Sequence, residues 1–222
     1  MSWTRTPLAD ELKAAKSEML LRNLKGRDIQ DPRTLAAMES VPRERFVLPD
    51  DIHSAYNDSP LPIGYGQTIS QPYIVALTAQ ALQISPEDKV LEIGAGCGYQ
   101  AAVLSLLGKH VYTIEIIPQL VSSTQARLAD LGYDNVTVIA ADGTHGYSKQ
   151  APYQKIAVAA TARKAPPELE EQLAEGGRIC MPLGDNLMQE LVLGEKRGGV
   201  VKYRTLTFVR FVPMTGDARM IR

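Results

Sequence analysis

The chain has 222 residues, 45% of them hydrophobic and 22% charged, with a formal net charge of −1. This composition fits a folded globular chain and excludes a disordered one. The absence of a dense Lys/Arg run argues against a nucleic-acid backbone binder, and the absence of an 18-residue apolar run argues against a membrane-spanning helix. The start, Met1-Ser2-Trp3-Thr4-Arg5, has no apolar core of a signal peptide, so the expected location is the cytoplasm. Two cysteines, Cys97 and Cys180, and three histidines, His53, His110 and His145, show no metal-ligand spacing. The cysteines are expected to be free, buried thiols, and no metal is expected.

In chain order, Leu8, Leu12, Ala15, Met19 and Leu20 recur at helical spacing, predicting an amphipathic helix over 8–25 that Gly26 ends. Asp31-Pro32 opens a second helix, with Asp31 as N-cap, which stops before Pro42. Residues 42–72 then read as a long irregular segment rich in Pro, Gly and small polar residues. Phe46, Tyr56, Leu61 and Ile63 argue that it is packed, and loops of this length are usually functional. Ser70 reads as the N-cap of a helix carrying Tyr73, Val75, Ala76, Leu77, Ala79 and Leu82. Its positive end would favour an anion, beside the hydroxyls of Thr68 and Ser70.

Val90-Leu91-Glu92-Ile93 reads as a buried strand, followed by Gly94-Ala95-Gly96-Cys97-Gly98 and a helix from about Tyr99. The pattern G-x-G-x-G is neither the G-x-G-x-x-G of dinucleotide folds nor a Gly-Lys-Ser/Thr phosphate loop. Glu92, inside the strand, suits a ligand that carries an ammonium group. Val111 to Glu115 is the next strand, ending in an acid at the spacing that binds ribose hydroxyls. Val136 to Ala140 is a third, running into Asp142-Gly143, and Ile156 to Ala160 a fourth. A short helix, Pro166 to Ala174, precedes the strand Arg178 to Met181. Leu187 to Leu193 and Val200 to Val212 pair around Gly198-Gly199. Strand–helix alternation with a terminal hairpin predicts an α/β fold with a mostly parallel seven-stranded sheet and an antiparallel edge. One domain is expected over 1–222: residues 1–72 hold the amino-terminal helices and site loop, and 73–222 the core.

The three strand ends would gather at one sheet edge. With E-x-G-x-G-x-G, Glu115 and Asp142-Gly143 in order, the chain resembles the S-adenosylmethionine-dependent methyltransferases of Rossmann-like fold. The run P-R-E-R-F-V and then A-Y-x-D-x-P-L-P-I-G-x-G-Q-T-I-S-x-P, with R-F-V-P-M-T-G near the end, narrows this. It is similar to the protein-L-isoaspartate O-methyltransferases over about residues 35–216. The resemblance implies methyl transfer from S-adenosyl-L-methionine, giving S-adenosyl-L-homocysteine. The acceptor would be the free carboxylate of isoaspartyl residues in damaged proteins and peptides, a repair activity. It also implies cofactor contacts at Glu92, Gly94, Ala95, Gly96, Gly98, Glu115, Asp142, Gly143 and Thr215. Thr68, Ile69, Ser70 and Val212 would meet the substrate, Ser70 being the catalytic residue. Neither nucleic acid nor membrane is an expected partner, and a monomer is expected. Three positions depart from the family: Cys97 for Ser, Ile116 for Arg, and Gln154 for Asp at what is read as the edge of the cofactor cleft. Two other readings are another methyltransferase on the same fold that does not depend on Ser70, and a non-catalytic carboxylate-binding module.

Overall fold

The structure is a computed structural model that describes residues 8–185 and 187–216; Met1–Arg5, read above, lies outside them. Helix α1 (Leu8–Glu18) continues as π-helical turns over Met19–Lys25 and ends at Gly26. Helix α2 (Pro32–Ser40) begins as expected: the Asp31 carboxylate accepts from Arg33 N (3.3 Å) and Thr34 N (3.1 Å). Residues 42–72 are more regular than expected. After short 3-10 turns, β1 (Leu61–Gly64) and β2 (Gln67–Ile69) form an antiparallel hairpin around Tyr65-Gly66. Leu61 and Ile63 point inward while Pro62 is exposed, a period-2 pattern whose proline disguises it as loop.

Ser70 is not the cap of α3 (Pro72–Leu82); Gln71 occupies that position without a side-chain cap bond. Pro72 has no N–H to satisfy, and Tyr73 N donates to Asp58 Oδ1 at 3.2 Å. Asp58 Oδ2 also accepts from Gln71 Nε2 at 2.7 Å and Arg27 Nη1 at 3.3 Å. A protein carboxylate therefore holds this helix start, so the expected dipole contribution to a bound anion is withdrawn.

Seven strands follow: β3 (Lys89–Ile93), β4 (His110–Glu115), β5 (Val136–Ala140), β6 (Tyr153–Val158), β7 (Leu173–Gly184), β8 (Gln189–Arg197) and β9 (Val200–Val209). Helices α4 (Tyr99–Ser105), α5 (Pro118–Asp130) and α6 (Pro167–Gln172) connect them. The order is β5-β4-β3-β6-β7-β8-β9, parallel from β5 to β7 and antiparallel at β8 and β9. The fold is the mostly parallel seven-stranded sheet expected, although β7 starts five residues earlier because its Gly176-Gly177 turn interrupts the apolar pattern.

Alternation along β3 divides the core. Val90 joins the cluster under α3 and α4, whereas Leu91 and Ile93 join Tyr153, Leu169 and Ile179 on the other face. Fully buried Arg43 ties the amino-terminal helices to α4: its guanidinium lies 4.7 Å over the Tyr99 ring and Nε donates to Ala55 O at 2.7 Å. The chain leaves β3 for β4 on one side and later returns to β6 on the other. This switch point, beyond the carboxyl ends of the strands, is where open α/β sheets bind ligands.

Candidate active site

A cleft of about 800 Å³, counted to its open mouth, lies at that switch point. Its floor is the turn after β3. Gly94 N and Ala95 N both donate to Ile114 O, at 2.9 and 3.0 Å, which pins the turn to the end of β4. Gly98, with φ of 89°, leads into α4, and a Cβ there would fall 2.8 Å from Thr124 Cγ2. Glycine is thus required by both backbone angle and space.

Glu115 is the electrostatic centre of this floor. It is 6% exposed; Oε2 accepts from Gly96 N (2.9 Å), and Oε1 from Ile116 N (2.9 Å) and Ile117 N (3.0 Å). Two carboxylate oxygens offer about four acceptor directions, so capacity remains for a ligand hydroxyl on the cleft side. The carboxy-terminal tail closes the opposite wall. Thr161 N donates to Val212 O (2.9 Å) and Met214 N to Thr161 O (2.8 Å), which holds Val212 to Thr215 along the end of β6.

Thr68, Ile69, Ser70, Gly94, Ala95, Gly96, Glu115, Gly143, Val212 and Thr215 all line this cleft. Glu92, Gly98 and Asp142 do not. Gly98 shapes the turn from behind. Asp142 turns its Oδ1 to Thr144, accepting from N at 2.9 Å and Oγ1 at 2.8 Å, while Gly216 packs so closely on the other oxygen that no Cβ would fit there. Gln154 is at the amino end of β6, away from the cleft, and its Oε1 accepts from Lys89 N at 2.9 Å. Its departure from the family pattern is therefore structural. Ile116, Ile117, Gln100 and Met214 also line the cleft. The Ile116-Ile117 pair, apolar and placed directly after an acidic strand end, was the sequence signal for the first two.

Glu92 is fully buried on the α3/α4 side of β3. Its Oε2 accepts from Thr113 Oγ1 at 2.5 Å. Burial, partly opposed by Thr113 and Gln100, raises its pKa to about 7. Relative to the unfolded chain, the buried carboxyl is neutral in both states at acid pH and disfavours the fold once ionised. Stability is therefore expected to fall as pH rises from the ordinary carboxyl range through about 7, by up to about 3 kcal/mol. Urea unfolding at pH 5 and pH 8 should show this decline in wild type and its loss in Glu92→Gln; identical slopes would contradict it. Cys97 lines the cleft, but burial raises its thiol pKa, and both cysteines are free. Neither fits a thiolate nucleophile.

The cleft does not end at Ser70. A second cavity, about 650 Å³ counted to its open mouth, is lined by Pro60, Gln71, Ile74 and Phe208 to Phe211, and shares Thr68, Ser70, Ala159 and Val212 with the first. Those four residues form a neck between the two. The Ser70 hydroxyl has no hydrogen-bond partner among the described residues, so it is free to serve a ligand in the neck.

Comparison with known proteins decides the family. The pattern described as protein-L-isoaspartate(D-aspartate) O-methyltransferase matches residues 15–219. The chain belongs to this family. It is 47% identical over 213 residues to the protein-L-isoaspartate O-methyltransferase of Methanoregula boonei, covering 96% of each chain. It is 50% identical over 203 residues to that of Opitutus terrae, covering 91% of this chain and 87% of the other. A Plasmodium falciparum structure, titled a putative member of the family in complex with S-adenosyl-L-homocysteine, aligns with a TM-score of 0.76 at 26% identity, covering 90% of this chain and 98% of the other. A further structure named protein-L-isoaspartate O-methyltransferase reaches 0.81 at 27% identity, covering 91% and 67%.

Proposed function

We propose that the chain transfers the methyl group of S-adenosyl-L-methionine to the free carboxylate of L-isoaspartyl residues in proteins and peptides, as an enzyme of protein repair. The observation that carries this is the neck: one uncommitted hydroxyl, Ser70, placed between a glycine-floored cleft and a second, open cavity.

The cofactor fits the first cleft on chemical grounds. The Gly94-Ala95-Gly96 backbone admits close approach, and Glu115 has acceptor capacity left for ribose hydroxyls. Gly143, Ile116, Ile117 and Thr215 complete the walls. When bound, the cofactor supplies an electrophilic methyl group on a sulfonium. Glu92, Gly98 and Asp142 support this site from behind its walls.

An isoaspartyl linkage leaves an α-carboxylate that is already ionised at neutral pH, since its pKa is near 4. No general base is needed, in keeping with a cleft lined by neither His nor Lys. Ser70 would donate to one carboxylate oxygen and leave the other free to take the methyl group that S-adenosyl-L-methionine would supply. Positioning of this kind is worth up to roughly 7–11 kcal/mol. Ile69, Ala159 and Val212 exclude water around the pair. The Val212 carbonyl is already taken by Thr161, so a substrate main chain would meet the Val212 N–H or the carbonyl's second lone pair. Residence in the cytoplasm and action as a monomer belong to the same reading. No described helix is long and apolar enough to cross a membrane.

A paired assay tests the activity: an isoaspartyl peptide and its aspartyl counterpart are incubated with the enzyme and methyl-labelled cofactor. Methyl ester is expected on the first only, and equal labelling of both would reject the substrate assignment.

A further inference from the structure

The second cavity carries a feature that the methyl-transfer step does not use. Beyond the Ser70 neck, its wall is the stretch Phe208–Val212, which leaves β9 at the free edge of the sheet. The main chain of this stretch is fixed. Gln189, 7% exposed, accepts from Phe211 N through Oε1 (2.6 Å) and donates to Phe211 O through Nε2 (3.3 Å). On this support stand two exposed side chains, Phe208, 67% exposed, and Arg210. Arg210 has no hydrogen-bond or ion-pair partner among the described residues, although most of the described arginines do. The cavity lining contains no carboxylate, so the guanidinium is its sole charged group.

We propose that Arg210 makes this enzyme selective for isoaspartyl sites with an acidic side chain within a few residues of the modified position. The proposal rests on the function stated above and names a specificity determinant for it. A peptide whose isoaspartyl carboxylate lies at the Ser70 neck must run its neighbouring residues through the cavity that adjoins it. Extended chain advances about 3.3 Å per residue, so the residues that pass Arg210 are the near neighbours of the modified one. A guanidinium at the rim offers a paired donor face to a carboxylate and repels Lys or Arg. Phe208 beside it presents apolar surface to the stem of the same residue. Because the site is open, the contact is of the surface type, and its effect lies in peptide capture rather than in the chemical step.

The test uses isoaspartyl peptides that are acetylated and amidated at their ends, with Glu, Gln or Lys placed singly at each of the three positions on either side. A Gln peptide with a free carboxyl terminus separates a side-chain carboxylate from a chain-end one. In wild type at low ionic strength, one or two positions should give a kcat/KM for Glu that exceeds Lys by roughly threefold to tenfold. The difference should reside in KM and shrink at high salt. Arg210→Glu should invert the order at those positions, and Arg210→Gln should flatten it. Anisotropy of labelled peptides with S-adenosyl-L-homocysteine present should report the same ranking without turnover. Equal use of Glu, Gln and Lys peptides by wild type, or a ranking that Arg210→Glu leaves intact, overturns the proposal. A preference that appears only with the free chain end overturns the assignment to a side chain. Failure to methylate any isoaspartyl peptide would instead overturn the underlying function, and this selectivity with it.

Discussion

Replacing Ser70 by Ala is expected to reduce kcat on isoaspartyl peptides by about 10- to 100-fold while leaving cofactor affinity near wild type. A hydrogen bond to a charged partner contributes about 1.5–3 kcal/mol, and each 1.4 kcal/mol is a factor of ten. The hydroxyl is not committed to the fold: no described residue bonds to it, and Gln71 with Asp58, rather than Ser70, serves the start of α3. Its loss should therefore leave the unfolding midpoint close to wild type. Ser70→Thr, which keeps the hydroxyl, should recover part of the rate. Stopped-flow or single-turnover assays, with calorimetry of S-adenosyl-L-homocysteine binding, separate the terms. A variant with full turnover, or one that fails by losing cofactor, would remove Ser70 from the acceptor side.

Glu115→Gln is expected to damage both cofactor affinity and stability. The carboxylate accepts three backbone N–H groups, from Gly96, Ile116 and Ile117. A carboxamide presents an N–H face to at least one of them, which leaves a donor unpaired at a cost of about 1–3 kcal/mol in stability. It also weakens the acceptor for a ribose hydroxyl, so the dissociation constant for S-adenosyl-L-homocysteine should rise by about tenfold or more. Calorimetry and thermal unfolding measure the two effects. Wild-type affinity in a destabilised variant would confine Glu115 to bracing the turn.

The difference between these two residues shows what the sequence discloses. Glu115 was legible because a strand, a glycine turn and a strand-end acid are local patterns, and parallel topology brings them together. Its bonds to three backbone amides were not, since they depend on how the Gly94–Gly98 turn folds back over β4. Ser70 lines the cleft, although the cap role read for it is not the one it has. A hydroxyl ahead of a helix is a local signal, whereas the group that displaces it, Asp58, is a tertiary one. Glu92 fell behind the cleft because alternation along β3 turns it towards α3 and α4, and sequence does not say which face of a doubly covered strand meets the ligand. Gln154 could have been placed better: it opens β6, whereas ligands collect at the closing ends of parallel strands. The second cavity had no sequence signal, because it joins Pro60 and Ile74 to Phe208–Val212 across more than a hundred residues.

The most direct measurement is a crystal structure of the ternary complex with S-adenosyl-L-homocysteine and an isoaspartyl peptide. One oxygen of the free carboxylate should lie about 2.5–3.0 Å from Ser70 Oγ, with the other facing the cofactor sulfur across the neck formed by Thr68, Ala159 and Val212. A carboxylate seated outside that neck, or a Ser70 side chain walled off from it, would contradict the mechanism.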